Sequence, residues 1–220
     1  MQRVYLHGGG RTGREAWPTL DASAGAFLAF DKDERLAARV TRLEHAFGDE
    51  PIVVFAHSLG GVTAALATQA SRLDVRALVL IEPALYDIVR GTACIERHIA
   101  IHSEARAQAA DGNLPGYWMM VRPVMFGGEF EPERWDEERP LALLWSQAET
   151  PWGHGIRADM VTGIPTLVVT GAWNEEYEAI ADTLVAGGAE HRVLAGAGHR
   201  PQDLPDFPAL CDEFLSRFGV

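Results

Sequence analysis

The chain has 220 residues, enough for one domain with a modest insertion and for a proper buried core. Its 47% hydrophobic and 23% charged content fits a folded globular chain and not a disordered one. With 19 basic against 31 acidic residues the net charge is −12, which argues against a nucleic-acid scaffold and an anionic-membrane binder.

Lys32 is the only lysine and sits in a charged, solvated run, so Schiff-base catalysis and a phosphate-cradling lysine are both disfavoured. Two cysteines, Cys94 and Cys211, are too few for a disulfide scaffold or a four-thiolate zinc site. A reducing compartment is expected. The N-terminus lacks a signal-peptide pattern, and no apolar run reaches the ~18 residues of a membrane span. The expected location is the cytoplasm.

In chain order, apolar runs predict strands at 3–7 and 26–30. Residues 34–47 predict a helix, with Leu36, Val40, Leu43 and Phe47 on one stripe. A strand follows at 51–56, a buried Ala-rich helix at 59–70 and a strand at 76–81. From 85 to 155 no convincing strand occurs. This stretch holds a helix at 92–110, the apolar cluster Trp118, Met119, Met120, Met125 and Phe126, an acidic segment at 129–138, and a helix at 141–148 containing Trp145. It reads as a helical insertion over one end of the sheet, against the plainer reading of two large helices in the sheet's own cover. A strand at 165–170, a helix at 177–185, a weaker strand at 191–194 and a helix at 207–218 complete the chain. Alternating strands and helices predict an α/β fold, a three-layer α/β/α sandwich on a mostly parallel sheet. The core comprises 1–84 and 156–220, and the insertion 85–155.

Three motifs carry chemistry. Ala56-His57-Ser58-Leu59-Gly60-Gly61 joins a strand to a helix. A serine on so tight a turn is strained, with its hydroxyl exposed, and small neighbours at −2 and +2 let the turn close. Ala56 departs from the usual G-x-S-x-G by one methyl group. The plain alternative is a serine capping a helix. His7-Gly8-Gly9-Gly10 follows the first strand, and Gly196-Ala197-Gly198-His199-Arg200-Pro201 lies between the last strand and the last helix. His57 is expected to point away from the nucleophile. His98 and His102 share a helical face without an acidic ligand pattern, so no metal site is expected.

Together these motifs resemble the α/β-hydrolase superfamily, and the resemblance covers most of the chain. It implies Ser58 as nucleophile, His199 as its base, and the amides of Gly9 and Leu59 as the oxyanion hole. The acid departs from the pattern, because Asn174 occupies the position where most members carry Asp. Glu82 ends an otherwise apolar strand, as in a subset of the superfamily. A buried carboxylate there needs a partner. Glu82 is therefore the expected acid, with Glu175 second. Many members also begin with strands absent here, which leaves a sheet edge for a second copy to cover.

The reading is a carboxylic ester hydrolase that cleaves an ester, thioester or related acyl bond of a small molecule. Its substrate has an apolar acyl or aromatic part, held by Trp118, Met119, Met120, Met125, Phe126 and Trp145 unless these merely pack the insertion. The chemistry needs no metal or organic cofactor. Two alternatives stand beside it. Gly8-x-Gly10-x-x-Gly13, with Asp31 following, fits an NAD(P)-binding oxidoreductase. The missing Asp fits a non-catalytic ligand binder on the same scaffold.

Overall fold

The computed structural model describes residues 1–220. Its six strands are β1 (Gln2–Leu6), β2 (Ala26–Leu28), β3 (Pro51–His57), β4 (Asp74–Ile81), β5 (Thr166–Thr170) and β6 (Glu190–Val193). All pair in parallel, in the order β2-β1-β3-β4-β5-β6. Each strand lies within two residues of its predicted ends.

The sheet is covered on both faces, which is why its strands read as continuous apolar runs and not as alternating ones. One face presents Tyr5, Val53, Phe55, Val79 and Val169 to Trp17 and to α7 (Phe207–Ser216), which contributes Phe207, Cys211, Phe214 and Leu215. Residues of opposite parity, including Leu6, Ile52, Val54 and Leu80, are fully buried on the other face. There α2 (Gly60–Ala67) packs on β1, β3 and β4, with α1 (Leu36–Phe47) beside it. The remaining helix of this layer set, α6 (Glu175–Ala186), follows β5. Burial of each large aliphatic side chain contributes about 1.5–3 kcal/mol.

The strand order reverses between β1 and β3. Ligands of open parallel sheets bind outside the carboxyl ends at such a switch point. The His7 loop and Ser58 both leave the sheet there.

The chain packs into two compact units, Met1–Val89 with Thr150–Val220, and Arg90–Glu149. Residues 85–89 and 150–155, read from sequence as insertion, pack in the sheet-bearing unit. Specific bonds hold them there. The Asp87 carboxylate accepts from the amides of Gly153 (2.8 Å), His154 (2.9 Å) and Ile156 (3.2 Å), and Tyr86 stacks on Trp152 at 5.9 Å.

The second unit contains α3 (Ala93–Ala110), α4 (Leu114–Met125) and α5 (Trp135–Gln147). The apolar cluster expected without assigned structure is largely α4, capped by the Asn113 side chain. The acidic segment is partly helical. Asp136, Glu137 and Glu138 form the first turn of α5, where the helix dipole favours negative charge. Trp118 is 1% exposed, packs in this unit's own core and donates to Glu138 at 2.6 Å. Met120, Met125 and Trp145 pack partly buried against the same core, whereas Met119 and Phe126 are exposed. No helix is long and apolar enough to cross a membrane.

Candidate active site

Ser58 sits between β3 and α2 with φ of 52°, a left-handed conformation that costs a non-glycine residue about 1–2 kcal/mol. Neighbouring backbone holds it there. The Ser58 amide donates to the Ile81 carbonyl at 3.0 Å, and the Ser58 carbonyl accepts from Gly61 (2.9 Å) and Ala84 (3.1 Å). Gly60 is required because a Cβ there would lie 2.7 Å from the Leu6 carbonyl oxygen. At the other small position the Ala56 methyl is accommodated and fully buried.

The His7 loop closes against this turn. A Cβ on Gly8 would lie 2.8 Å from the Ser58 Cβ, so only glycine fits. His7 Nε2 accepts from the Phe30 amide at 2.9 Å. Its Nδ1 therefore carries the proton and donates to the Gly8 carbonyl at 2.7 Å. That carbonyl and the Gly9 N–H belong to one planar trans peptide and point in opposite directions. His7 thereby fixes the direction of the Gly9 amide. Neither the Gly9 nor the Leu59 amide donates to a carbonyl of the chain. The glycine run does not lead into a dinucleotide-binding helix. It enters one 3-10 turn, Gly13–Ala16, which is too short to offer a pyrophosphate a helix N-terminus.

Of the two candidate acids, Glu82 is the one that faces His199. Glu82, at the end of β4, is fully buried with φ of 43°. Its Oε1 accepts from the Gly171 amide at 2.6 Å and its Oε2 from the Trp173 indole at 2.9 Å. Oε2 also faces His199 Nδ1 at 3.4 Å. Three N–H donors thus surround one carboxylate, which offsets the several kcal/mol of burying it. Asn174 caps α6 through the Glu176 amide at 2.8 Å, and Glu175 lies exposed in the first turn of that helix. Ser58, Glu82 and His199 follow β3, β4 and β6 in turn, all beyond the carboxyl ends of the parallel strands, and the carboxylate that faces His199 is that of Glu82.

The His199 ring is 33% exposed and is packed by His57 (4.7 Å between centroids), Tyr177 (4.9 Å) and Trp173 (6.0 Å, edge-on). The two residues of α6 and its preceding loop, Trp173 and Tyr177, escape the sequence motifs. Gly171 permits this approach, since a Cβ there would overlap the Gly198 backbone. Arg200 secures the loop with two bonds of 2.8 Å to Asp203. On α3, His98 and His102 stack at 4.4 Å, and no group of three metal-ligating side chains occurs.

His57 has a role that its position beside Ser58 does not advertise. Its Nε2 donates to the His199 carbonyl at 2.8 Å, holding the loop and not the nucleophile. Burial, then repulsion from His199, keeps His57 well below the usual histidine range. Burial lowers His7 as well. The unfolded chain therefore binds more protons than the folded one below about pH 6.5. This stabilising contribution is complete above that pH and is lost as pH falls. The thermal midpoint is expected to drop by several degrees, roughly 4–8 °C, between about pH 7 and pH 5. His57→Gln, which keeps a donor but no titration, makes the decline shallower in the same melts.

The model of a family described as the Alpha/beta hydrolase family matches residues 4–210. Among solved structures, MenH from S. aureus is 17% identical, with 100% of this chain and 95% of that chain covered and a TM-score of 0.61. Human thioesterase 2 is 14% identical over 99% of this chain and 94% of that one, with a TM-score of 0.60. A carboxylesterase structure from Nitrososphaera gargenis is 14% identical over 99% and 90%, with a TM-score of 0.58. At these identities the likeness is one of fold. No curated protein matches the sequence.

Proposed function

The chain belongs to the alpha/beta hydrolase family, and from that premise we propose a serine hydrolase that cleaves a carboxylic ester, thioester or related acyl bond. One observation carries the reading: a fully buried carboxylate, Glu82, faces His199 Nδ1 beside a serine held in a strained turn.

In this mechanism Glu82 accepts from His199 Nδ1–H and leaves Nε2 unprotonated. Ser58 Oγ bonds to the acyl carbon as its proton passes to His199 Nε2. The Gly9 and Leu59 amides hold the resulting oxyanion, a contribution of about 3 kcal/mol per donor. The tetrahedral adduct collapses, His199 gives its proton to the leaving group, and an acyl-enzyme remains. Water then attacks that ester with His199 as base and releases the acid.

The carboxylesterase and thioesterase among the structural neighbours support an acyl bond as the target. Trp173 is 48% exposed and stands edge-on to His199, which supports a small substrate with an apolar acyl or aromatic part. The test is hydrolysis of p-nitrophenyl and thioester substrates of graded acyl length. A stoichiometric burst of p-nitrophenol followed by slower turnover is expected. Absence of turnover on every acyl substrate would sink the proposal.

A further inference from the structure

Trp173 does not behave as a packing residue. Nearly half of it is exposed, yet its indole N–H reaches inward to Glu82 Oε2 at 2.9 Å, and Glu82 is fully buried. The other carboxylate oxygen, Oε1, accepts from the Gly171 amide at 2.6 Å. Both donors belong to one three-residue segment. Between them Ala172 has φ of 53°, a left-handed conformation that disfavours a residue with a side chain. The turn at Ala172 brings a backbone amide and a side-chain N–H to the two oxygens of one carboxylate.

Oε2 is also the oxygen that faces His199 Nδ1, at 3.4 Å. Trp173 and His199 therefore meet on one atom. The last torsion of a glutamate side chain is broad, so a single clamp at Oε1 leaves the carboxylate free to turn. A second clamp at Oε2 fixes the plane of the group and the direction in which Oε2 points. The Trp173 ring lies 6.0 Å from His199, edge-on, and 6.0 Å from Tyr177, which limits the indole's own freedom.

We propose that Trp173 is a positioning residue, whose indole N–H holds Glu82 Oε2 in place as a charged acceptor for His199 Nδ1–H. This rests on the reading of Glu82 and His199 as the acid and base behind Ser58. No proton leaves the indole. A donated hydrogen bond favours the negative charge of a carboxylate. With the N–H removed, the Glu82–His199 pair takes up a proton at higher pH, whichever partner carries it. The protonated pair cannot act as a base toward Ser58, so activity is lost earlier on the acid side. The other titratable and charged groups around the pair are His57 at the end of β3, His7 after β1, Tyr177 and Glu176 of α6, and Arg200 with Asp203 in the His199 loop. A change at Trp173 alters none of them, so they act alike in wild type and variant.

The test is the pH profile of kcat/KM for p-nitrophenyl acetate, taken over the range in which thermal melts show each protein folded. Wild type is compared with Trp173→Phe, which keeps an aromatic ring. A second variant carries benzothienylalanine at the same position and exchanges only the indole N–H for sulfur. In both variants the midpoint of the acid limb is expected to rise by about 0.5–1 pH unit, and the plateau to fall roughly 3- to 10-fold. A merely structural role, such as packing beside His199, lowers the plateau without moving the midpoint. That outcome overturns the proposal, as does an unchanged profile or a downward shift in the benzothienylalanine variant. Fluorophosphonate labelling separates the two levels. A labelled wild type with an unmoved midpoint in the variants removes Trp173 alone. An unlabelled wild type removes the nucleophile reading and this inference with it.

Discussion

Ser58→Ala is expected to lower kcat on an aryl ester by about 10⁴–10⁶-fold while leaving the fold intact. The loss is large because no other nucleophile stands in the turn. Lys32 is the only lysine. Of the two cysteines, Cys211 is buried and packs in the sheet core, and Cys94 lies in α3 of the other unit. In the proposed mechanism the remaining rate, above that in water, comes from the Gly9 and Leu59 amides and from binding. Stability changes little, since alanine occupies the left-handed position at φ of 52° with the same Cβ as serine. The three backbone bonds that hold the turn involve no side-chain atom of Ser58. The thermal midpoint of the variant should stay within roughly 2–4 °C of wild type, which separates lost chemistry from lost folding.

Glu82→Gln is expected to have the second largest effect, about 10³–10⁴-fold in kcat, acting by tautomer and not by charge alone. The Glu82 carboxylate receives hydrogen bonds from Gly171, Trp173 and His199. All three partners are donors in the proposed mechanism, whereas a glutamine amide offers one accepting oxygen and one donating nitrogen. If its NH₂ faces Trp173 and His199, then His199 Nδ1 must become the acceptor. The ring proton then moves to Nε2, and the base is lost. If its NH₂ faces Gly171, two N–H groups oppose each other across a buried 2.6 Å contact, at a cost of about 1–3 kcal/mol. Glutamine therefore loses either activity or stability, and kcat measured beside a thermal melt registers both. Glu175→Gln, in the exposed first turn of α6, should leave kcat within about 3-fold.

These residues also show where sequence is informative. Ser58 is legible because a strand, a small-x-Ser-x-Gly turn and an apolar helix are contiguous, and Gly60 must pass beneath the Leu6 carbonyl. Glu82 is legible for a different reason: an acid at the end of Leu78-Val79-Leu80-Ile81 implies a buried charge, and a buried charge implies a partner. The partner's other contacts are not legible. Trp173 reaches Glu82 across 91 positions of sequence, and its exposed, aromatic character alone suggests only a surface side chain. Tyr177 is equally hidden, since on the apolar stripe of α6 it reads as one more packing residue. Asn174 misleads in the opposite direction. It occupies the place where related chains carry the acid, yet its side chain caps a helix.

The second compact unit is the least legible part. Leu114–Met125 contains Pro115, Gly116 and Pro123, which weigh against a helix in sequence. The helix forms because Asn113 caps it, because Pro115 falls in its first turn where the N–H is unpaired anyway, and because Tyr117, Trp118 and Val121 enter a core. Tertiary packing outweighs propensity there. The Trp118–Glu138 bond links α4 to the first turn of α5.

The central claim is that Ser58 is the reactive nucleophile. Mass spectrometry after incubation with a fluorophosphonate tests it most directly, since the reagent needs both an activated serine and its neighbouring base. The account predicts one adduct per chain, mapped to Ser58 and abolished in Ser58→Ala and His199→Ala. An unmodified wild-type chain, or an adduct on another residue that persists in Ser58→Ala, would contradict it.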